Sequence, residues 1–290
     1  MKKRYEDLTF SDDFLFCKIL EQEPELCKKL LELILGRKLG SLVLVNREKP
    51  IEITADGKGV RFDIYAEEEN NTVYDVEMQN INLGSLPKRA RYSQGMIDLH
   101  LMERGKSYNE LNRSYIIFIC RFNLFPQIGR HKYTFANLCR EDTAIELGDE
   151  TEKIFLCTKG HLDDIPENMK AFLNYVAGGS THSELTIELE NAVNEAKEHK
   201  RWRMEYMTLL EHYEIERAEG RAEGLAEGRA EGLAVGRAEG LAEGKILGII
   251  ESMFDEGKTE AEIISRLTSK YHLASEEARE YIISFQSSFA

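Results

Sequence analysis

Residues 61–80 read RFDIYAEEENNTVYDVEMQN, two runs rich in β-branched and aromatic residues separated by the polar stretch EEENN. Such runs favour strands and Asn-containing polar stretches favour turns, so the segment predicts a β-hairpin. Side chains alternate across a strand. Arg61, Asp63 and Tyr65 then share one face, with Phe62, Ile64 and Ala66 on the other; in the second strand Asp75, Glu77 and Gln79 lie opposite Val76 and Met78. A turn centred on Asn70 sets Asp63 directly across from Glu77, with Cβ atoms about 5 Å apart. Two carboxylates that close repel unless a cation lies between them. Two carboxylates, a backbone carbonyl (here that of Met78) and waters make the oxygen set that Mg²⁺ or Mn²⁺ prefers. The plainer alternative is a hairpin with acids on its wet face. Against it, Phe62, Ile64, Val76 and Met78 bury one face, while acids occupy the level where a helix-covered second face would carry hydrophobes.

Working outward, Ser11 is placed to cap a helix over DDFLFCKIL, and ELCKKLLELIL forms a second helix ending at Gly36. SLVLVNR and IEIT read as strands before the hairpin. LPKRARYSQGMIDLHLMERG has helical spacing, with Pro87 near its start and Gly105 as a stop. RSYIIFICRF is a continuous apolar run, the pattern of a buried central strand; KYTFANLC and KIFLCTKG are further strand candidates. The fold class expected is α/β, a mixed sheet flanked by helices.

After Gly178–Gly179 the composition changes to a long, charged, helical run that flows into EGRAEGLAEGRAEGLAVGRAEGLAEGKILG. Glycine occupies every fourth position from Gly220 to Gly248, eight in all. Each interior helix glycine costs about 1 kcal/mol against alanine, so such a helix gains its order from packing. Small residues at i, i+4 let a second helix backbone approach closely; a flexible linker is the alternative. The remaining residues carry apolar i, i+3, i+4 spacing, with a capping-box pattern at Thr259 and Glu262. The expected organisation is a sheet domain over 1–180, a long repeat-bearing helix over 181–248 and a small helical tail over 249–290.

No apolar run reaches the roughly 20 residues of a membrane helix. The start lacks an apolar signal segment, and the five cysteines (Cys17, Cys27, Cys120, Cys139, Cys157) form no CxxC pair. These features point to a reduced, cytoplasmic protein without disulfides or a zinc site. The net charge of −14 argues against nucleic-acid binding on average, yet residues 80–140 hold ten Lys/Arg against three acids, a local excess of +7. A phosphate backbone would sense that local field, because distant acids are screened over about 10 Å; a solvated face that happens to be basic is the alternative. His100 and His131 have no partner at ligand spacing and read as non-catalytic.

The ordered set LTFSDDFLFCKIL, RFDIYAE, YDVEMQN and PKRARYSQGMIDLHLMERGKSYNELNRSYIIFICRF resembles the core of the PD-(D/E)XK nuclease superfamily. It is most similar to the recombination-promoting nuclease and transposase branch, the Rpn family, in which a C-terminal glycine-glutamate repeat is also typical. The resemblance runs from about residue 5 to 180. It implies a restriction-endonuclease-like mixed sheet, with Asp63 and Glu77 holding the metal, Asp13 as an auxiliary acid, and Gln79 where the superfamily usually has lysine. Phe62 replaces the proline that precedes the motif-two aspartate. Glutamine can position a water but can neither carry charge nor act as a base. Lys88, Arg91 and Tyr92 lie on one face of the following helix at i, i+3, i+4. Lys88 and Arg91 are candidates to meet substrate and replace that charge, with plain solvated helix charges as the alternative; a second metal is another source of charge. Tyr92 is a substrate contact or, more in keeping with its type, a core residue.

The function expected is a Mg²⁺- or Mn²⁺-dependent DNA endonuclease associated with transposition or recombination, working as a homodimer through the C-terminal helix. The alternatives are a nucleic-acid-binding or oligomerising protein with a weak or degenerate site, and a protein whose repeat helix is the functional element on an α/β platform.

Overall fold

Six strands form one mixed sheet in the computed structural model, which describes residues 3–44, 62–102 and 105–288. In chain order they are β1 (Leu42–Leu44), β2 (Ile64–Glu68), β3 (Val73–Gln79), β4 (Ser114–Cys120), β5 (Lys132–Phe135) and β6 (Thr151–Cys157). Across the sheet they run β1-β2-β3-β4-β6-β5. The β1/β2, β2/β3 and β5/β6 pairs are antiparallel, whereas β3/β4 and β4/β6 are parallel. β4 is buried along its whole length, as a strand with parallel neighbours on both sides must be. The expected IEIT strand and the end of SLVLVNR lie outside the described residues.

The hairpin register matches the reading from the turn, with Ile64 opposite Val76 and Tyr65 opposite Asp75. Asn71 adopts φ +64° at the turn, and the Asn70 side chain accepts from the Thr72 amide at 2.9 Å. Two expectations need correction. Asp63 lies just before β2 rather than within it. Strand alternation therefore does not extend to Phe62, which packs beside Tyr65, with ring centroids 5.8 Å apart, instead of sharing a face with Ile64. The acid-bearing face is not wet either. Helix α3 (Leu86–Leu101), preceded by α1 (Asp13–Gln22) and α2 (Pro24–Leu35), lays Leu86, Ala90, Met96 and Ile97 over Tyr65, Val73, Ile116 and Phe118. Stacked Phe118 and Phe155, 5.4 Å apart, anchor that core.

α1 begins one residue later than the Ser11 cap predicted, with Asp12 at the N-cap. Asp12 Oδ2 instead accepts from the Thr9 amide and hydroxyl, both at 2.8 Å, which fixes the chain entering the helix. α2 closes at Gly36, whose φ of +69° is the left-handed cap that glycine adopts without penalty. α3 ends at Leu101, ahead of Gly105. A further helix, unassigned in the sequence reading, α4 (Glu167–Val176), follows the sheet. The long C-terminal run is interrupted at His199 into α5 (Glu184–Glu198) and α6 (Lys200–Asp255). Ser183 caps α5 reciprocally with Thr186. The five cysteines are free thiols. Among the described residues no helix is long and apolar enough to cross a membrane.

The chain divides into two compact units, Met1–Thr208 and Leu209–Ala290, the division falling within α6. In the first unit the start of α6 is held by Tyr206, whose ring lies 5.7 Å from Tyr5 and whose hydroxyl donates to the Lys3 carbonyl at 2.9 Å. In the second, α7 (Glu260–Tyr271) and α8 (Ser275–Ser288) build a small core around Ile246, Ile250, Ile263, Leu267 and Ile282. The Thr259 capping box forms, with Glu262 accepting from the Thr259 amide at 2.8 Å. The repeat is helical throughout, yet every residue from Glu211 to Lys245 is exposed and the eight glycines face open space. The packing expected to steady this helix is thus not supplied within the described chain.

Candidate active site at the end of β3

β3 delivers Asp75, Glu77 and Gln79 to the face under α3, two residues apart and so about 6.7 Å apart along the strand. The six-residue connection 80–85 sends α3 back over that face. Its first turns meet the end of β3, and Gln94 reaches Ser114 Oγ at 2.7 Å, level with Val73 at the start of the strand. Asp75 and Glu77 are each 0% exposed. Neither Asp75 oxygen has a hydrogen-bond partner, and Glu77 Oε1 has none.

Glu77 Oε2 is occupied. The Arg89 guanidinium pairs with it and also lies 5.8 Å from the Phe118 ring centre, while Gln79 Nε2 donates to it at 3.4 Å. Burial, and next the Asp63 charge, push the Glu77 carboxyl up to about 8, against the opposing pull of Arg89. Burial, then Glu77 and Asp63, hold Asp75 well above the usual carboxylate range. These are the responses of carboxyls denied water and set beside one another.

Asp63, half-buried, accepts from the Met78 amide at 3.0 Å, taking the place a β2 carbonyl would fill had the strand continued. A strand residue's N–H and C=O project to the same side, so the Met78 carbonyl faces Asp63 as its amide does. Asp13, at the start of α1, joins through Asn80: the Asn80 amide donates to the Ser11 carbonyl at 2.9 Å and to Asp13 Oδ1 at 3.2 Å. Burial, then neighbouring Asp12, raise the Asp13 pKa. Glu77 thus lies within electrostatic reach of both Asp63 and Asp13.

Of the helix candidates, Lys88, Arg91 and Tyr92 are all exposed on α3, so Tyr92 is no core residue. The cation that reaches the carboxylates is Arg89, which the i, i+3, i+4 reading passed over. A signal for it existed. The small and apolar stripe Leu86, Ala90, Ser93 and Ile97 marks the buried face of α3, and Arg89 flanks that stripe. Asp75, the other buried acid, was visible only as a face-mate of Glu77. His100 is exposed, and His131 pairs with Asp164 at 3.3 Å on the β5 side of the sheet.

The donors at this position are hard oxygens from two carboxylates and a main-chain carbonyl, and one carboxylate oxygen is buried without a partner. Among the described residues no group of three or more His, Cys, Asp or Glu side chains is arranged to hold an ion. Hard oxygens of this kind are the donors that divalent cations such as Mg²⁺ or Mn²⁺ take.

The mixed sheet with its flanking helices is consistent with a PD-(D/E)XK-like fold. The family model for PD-(D/E)XK nuclease family transposases matches residues 10–159, and the chain belongs to that family. No curated protein and no solved structure matches it. Nucleases of this superfamily generally use divalent metal ions.

Proposed function

We propose that the chain is a divalent-metal-dependent endonuclease that hydrolyses DNA phosphodiester bonds in transposition or recombination. The observation that supports the reading is Glu77, a fully buried carboxylate with one oxygen unpartnered and raised in pKa by the nearby Asp63 charge, within the stretch the family model matches. Asp63, Glu77 and the Met78 carbonyl would hold Mg²⁺ or Mn²⁺, with Asp13 as the outlying acid. An ion held there would supply a water of lowered pKa and offset charge on the scissile phosphate.

The chain's own groups have distinct tasks. Arg89 opposes the burial of Glu77 and favours its ionised form, the form that a cation requires. The Met78 amide fixes the Asp63 carboxylate against the end of β3. Gln79 spends its amide N–H on Glu77, which leaves its carbonyl oxygen to accept from a water and orient it without taking its proton. Lys88 and Arg91, exposed on the first two turns of α3, are placed to contact the DNA backbone, with Tyr92 beside them.

One observation favours a second reading, a nucleic-acid-binding protein with a weak site. Position 79 carries no charge and the nearest cation, Arg89, is engaged by Glu77. Cleavage of supercoiled plasmid in Mg²⁺, Mn²⁺ and EDTA decides between them. Metal-dependent nicking lost in Asp63→Ala and Glu77→Ala is the expected result; folded wild-type protein that binds DNA and never cuts it would establish the second.

Pairing of two copies through α6 belongs to the same proposal, because two cuts on a duplex need two sites. A four-residue period drifts by about 40° per repeat around a helix of 3.6 residues per turn. Two straight helices can therefore share only about three successive glycines, a short crossing rather than a long seam. A chain truncated near Glu214 that stays dimeric by light scattering would rule out this contact.

A further inference from the structure

The β3–α3 connection, residues 80–85, carries two large aliphatic side chains that the fold leaves uncovered: Leu83 is 81% exposed and Ile81 70%. The connection is pinned along its length. Asn80 is tied to Ser11 and Asp13, Asn82 Oδ1 accepts from the Gly84 amide at 2.9 Å, and Leu86 is buried at the start of α3. Gly84 adopts φ +74°, a backbone state cheap only for glycine. A single exposed aliphatic residue is ordinary. Here two stand at i and i+2 on a short connection, immediately after Gln79.

The surroundings select the partner. From Asn80 to Ile97 there is no acidic residue, and Lys88, Arg89 and Arg91 are basic. Lys88 and Arg91 are exposed next to the tip. Cations beside protruding aliphatics suit a nucleic-acid duplex: the cations take phosphates, and the aliphatics enter the minor groove and wedge between stacked bases. An uncharged protein groove would make no use of the cations. An anionic membrane would make none of the carboxylates a few residues away.

We infer that Ile81 and Leu83 form a wedge that enters a DNA duplex and unstacks a base step next to the phosphate presented to Asp63 and Glu77. The inference rests on the nuclease reading for the position of that phosphate. Its consequence for substrate choice is a preference for steps that unstack readily, TA and CA/TG.

The test uses the full chain in EDTA and in Ca²⁺, so that binding is observed without cleavage. Duplexes carry 2-aminopurine at successive positions, a base whose fluorescence rises on unstacking. Wild type is expected to raise the signal several-fold at one or two adjacent positions. The Ile81→Ser/Leu83→Ser double variant, both changes lying on the exposed tip, is expected to bind with an unchanged salt dependence and give no rise. Lys88→Ala/Arg91→Ala is expected to reduce the salt slope by about 2. A rise that survives in the double variant overturns the wedge, and so does wild-type binding without any rise. No wild-type binding even at low salt removes the DNA reading itself, a different result. Co-sedimentation with phosphatidylglycerol vesicles forms a last arm: vesicle binding lost in the double variant while its DNA behaviour is intact reassigns the tip to a membrane surface.

Discussion

Glu77 sets the needs of the site against those of the fold, and the conflict can be measured by replacing it with glutamine. Burial and Asp63 push its pKa from 4.5 up to about 8. An acid whose pKa rises on folding is bound to its proton more tightly in the native state, so its contribution to stability is full below about 4.5 and is lost as pH rises through about 8. At about 1.4 kcal/mol per pH unit, the whole displacement is worth at most on the order of 5 kcal/mol. For a unit of some 200 residues that corresponds to a melting difference on the order of 10 °C. Glu77→Gln keeps the shape and removes the proton. In EDTA, thermal melts followed by circular dichroism should coincide for wild type and variant near pH 5. The gap should open as pH rises, with the variant melting higher by pH 9. Mg²⁺ added at pH 8 should restore the wild type, because a cation needs the ionised carboxylate, and leave the variant unmoved. Parallel pH curves for the two proteins would falsify the reasoning.

Arg89→Met removes the partner of a buried anion. Because Arg89 is 41% exposed, the loss should be nearer 1–2 kcal/mol than the ~3–5 of a fully enclosed pair. Urea unfolding should show it at pH 8 and little of it at pH 5; equal losses at both would assign Arg89 a packing role through Phe118. Asp75→Asn should stabilise the protein increasingly as pH rises, since burial raises the Asp75 pKa and its stability contribution drains in the same direction; a variant that loses stability relative to wild type as pH rises would mean that the ionised form has a partner. Replacing Gly224, Gly228, Gly232 and Gly236 by alanine, where each added Cβ meets open space, should raise helical content and gain roughly 0.5–1 kcal/mol per site. If those glycines pair two copies, the same variant should turn monomeric by light scattering.

Much of the fold was legible because local rules and tertiary structure agree. The turn at Asn70 set the β2/β3 register, since a turn of given length admits one alignment and a one-residue slip would exchange the faces of the strand. The unbroken apolar run of β4 matched a strand buried on both sides, and Gly36 and Thr259 marked helix ends that local hydrogen bonds enforce. Less legible was the acid face. Alternation places Asp75 and Glu77 together but does not say what lies above them, and the acids argued for an open face that α3 in fact covers.

By itself, then, the sequence determined which residues of β2 and β3 share a strand face and where the hairpin turn and several helix ends fall. Those properties follow from periodicity and from bonds spanning a few residues. Only the tertiary structure decided that Arg89, and not Lys88 or Arg91, reaches Glu77, because this depends on how α3 is rotated over the sheet. It alone decided that Glu77 keeps one oxygen unpartnered in the core, and that Ile81 and Leu83 stand in solvent. Burial is a property of what packs from elsewhere in the chain. The chemistry of a carboxylate depends on that burial as much as on its being a carboxylate.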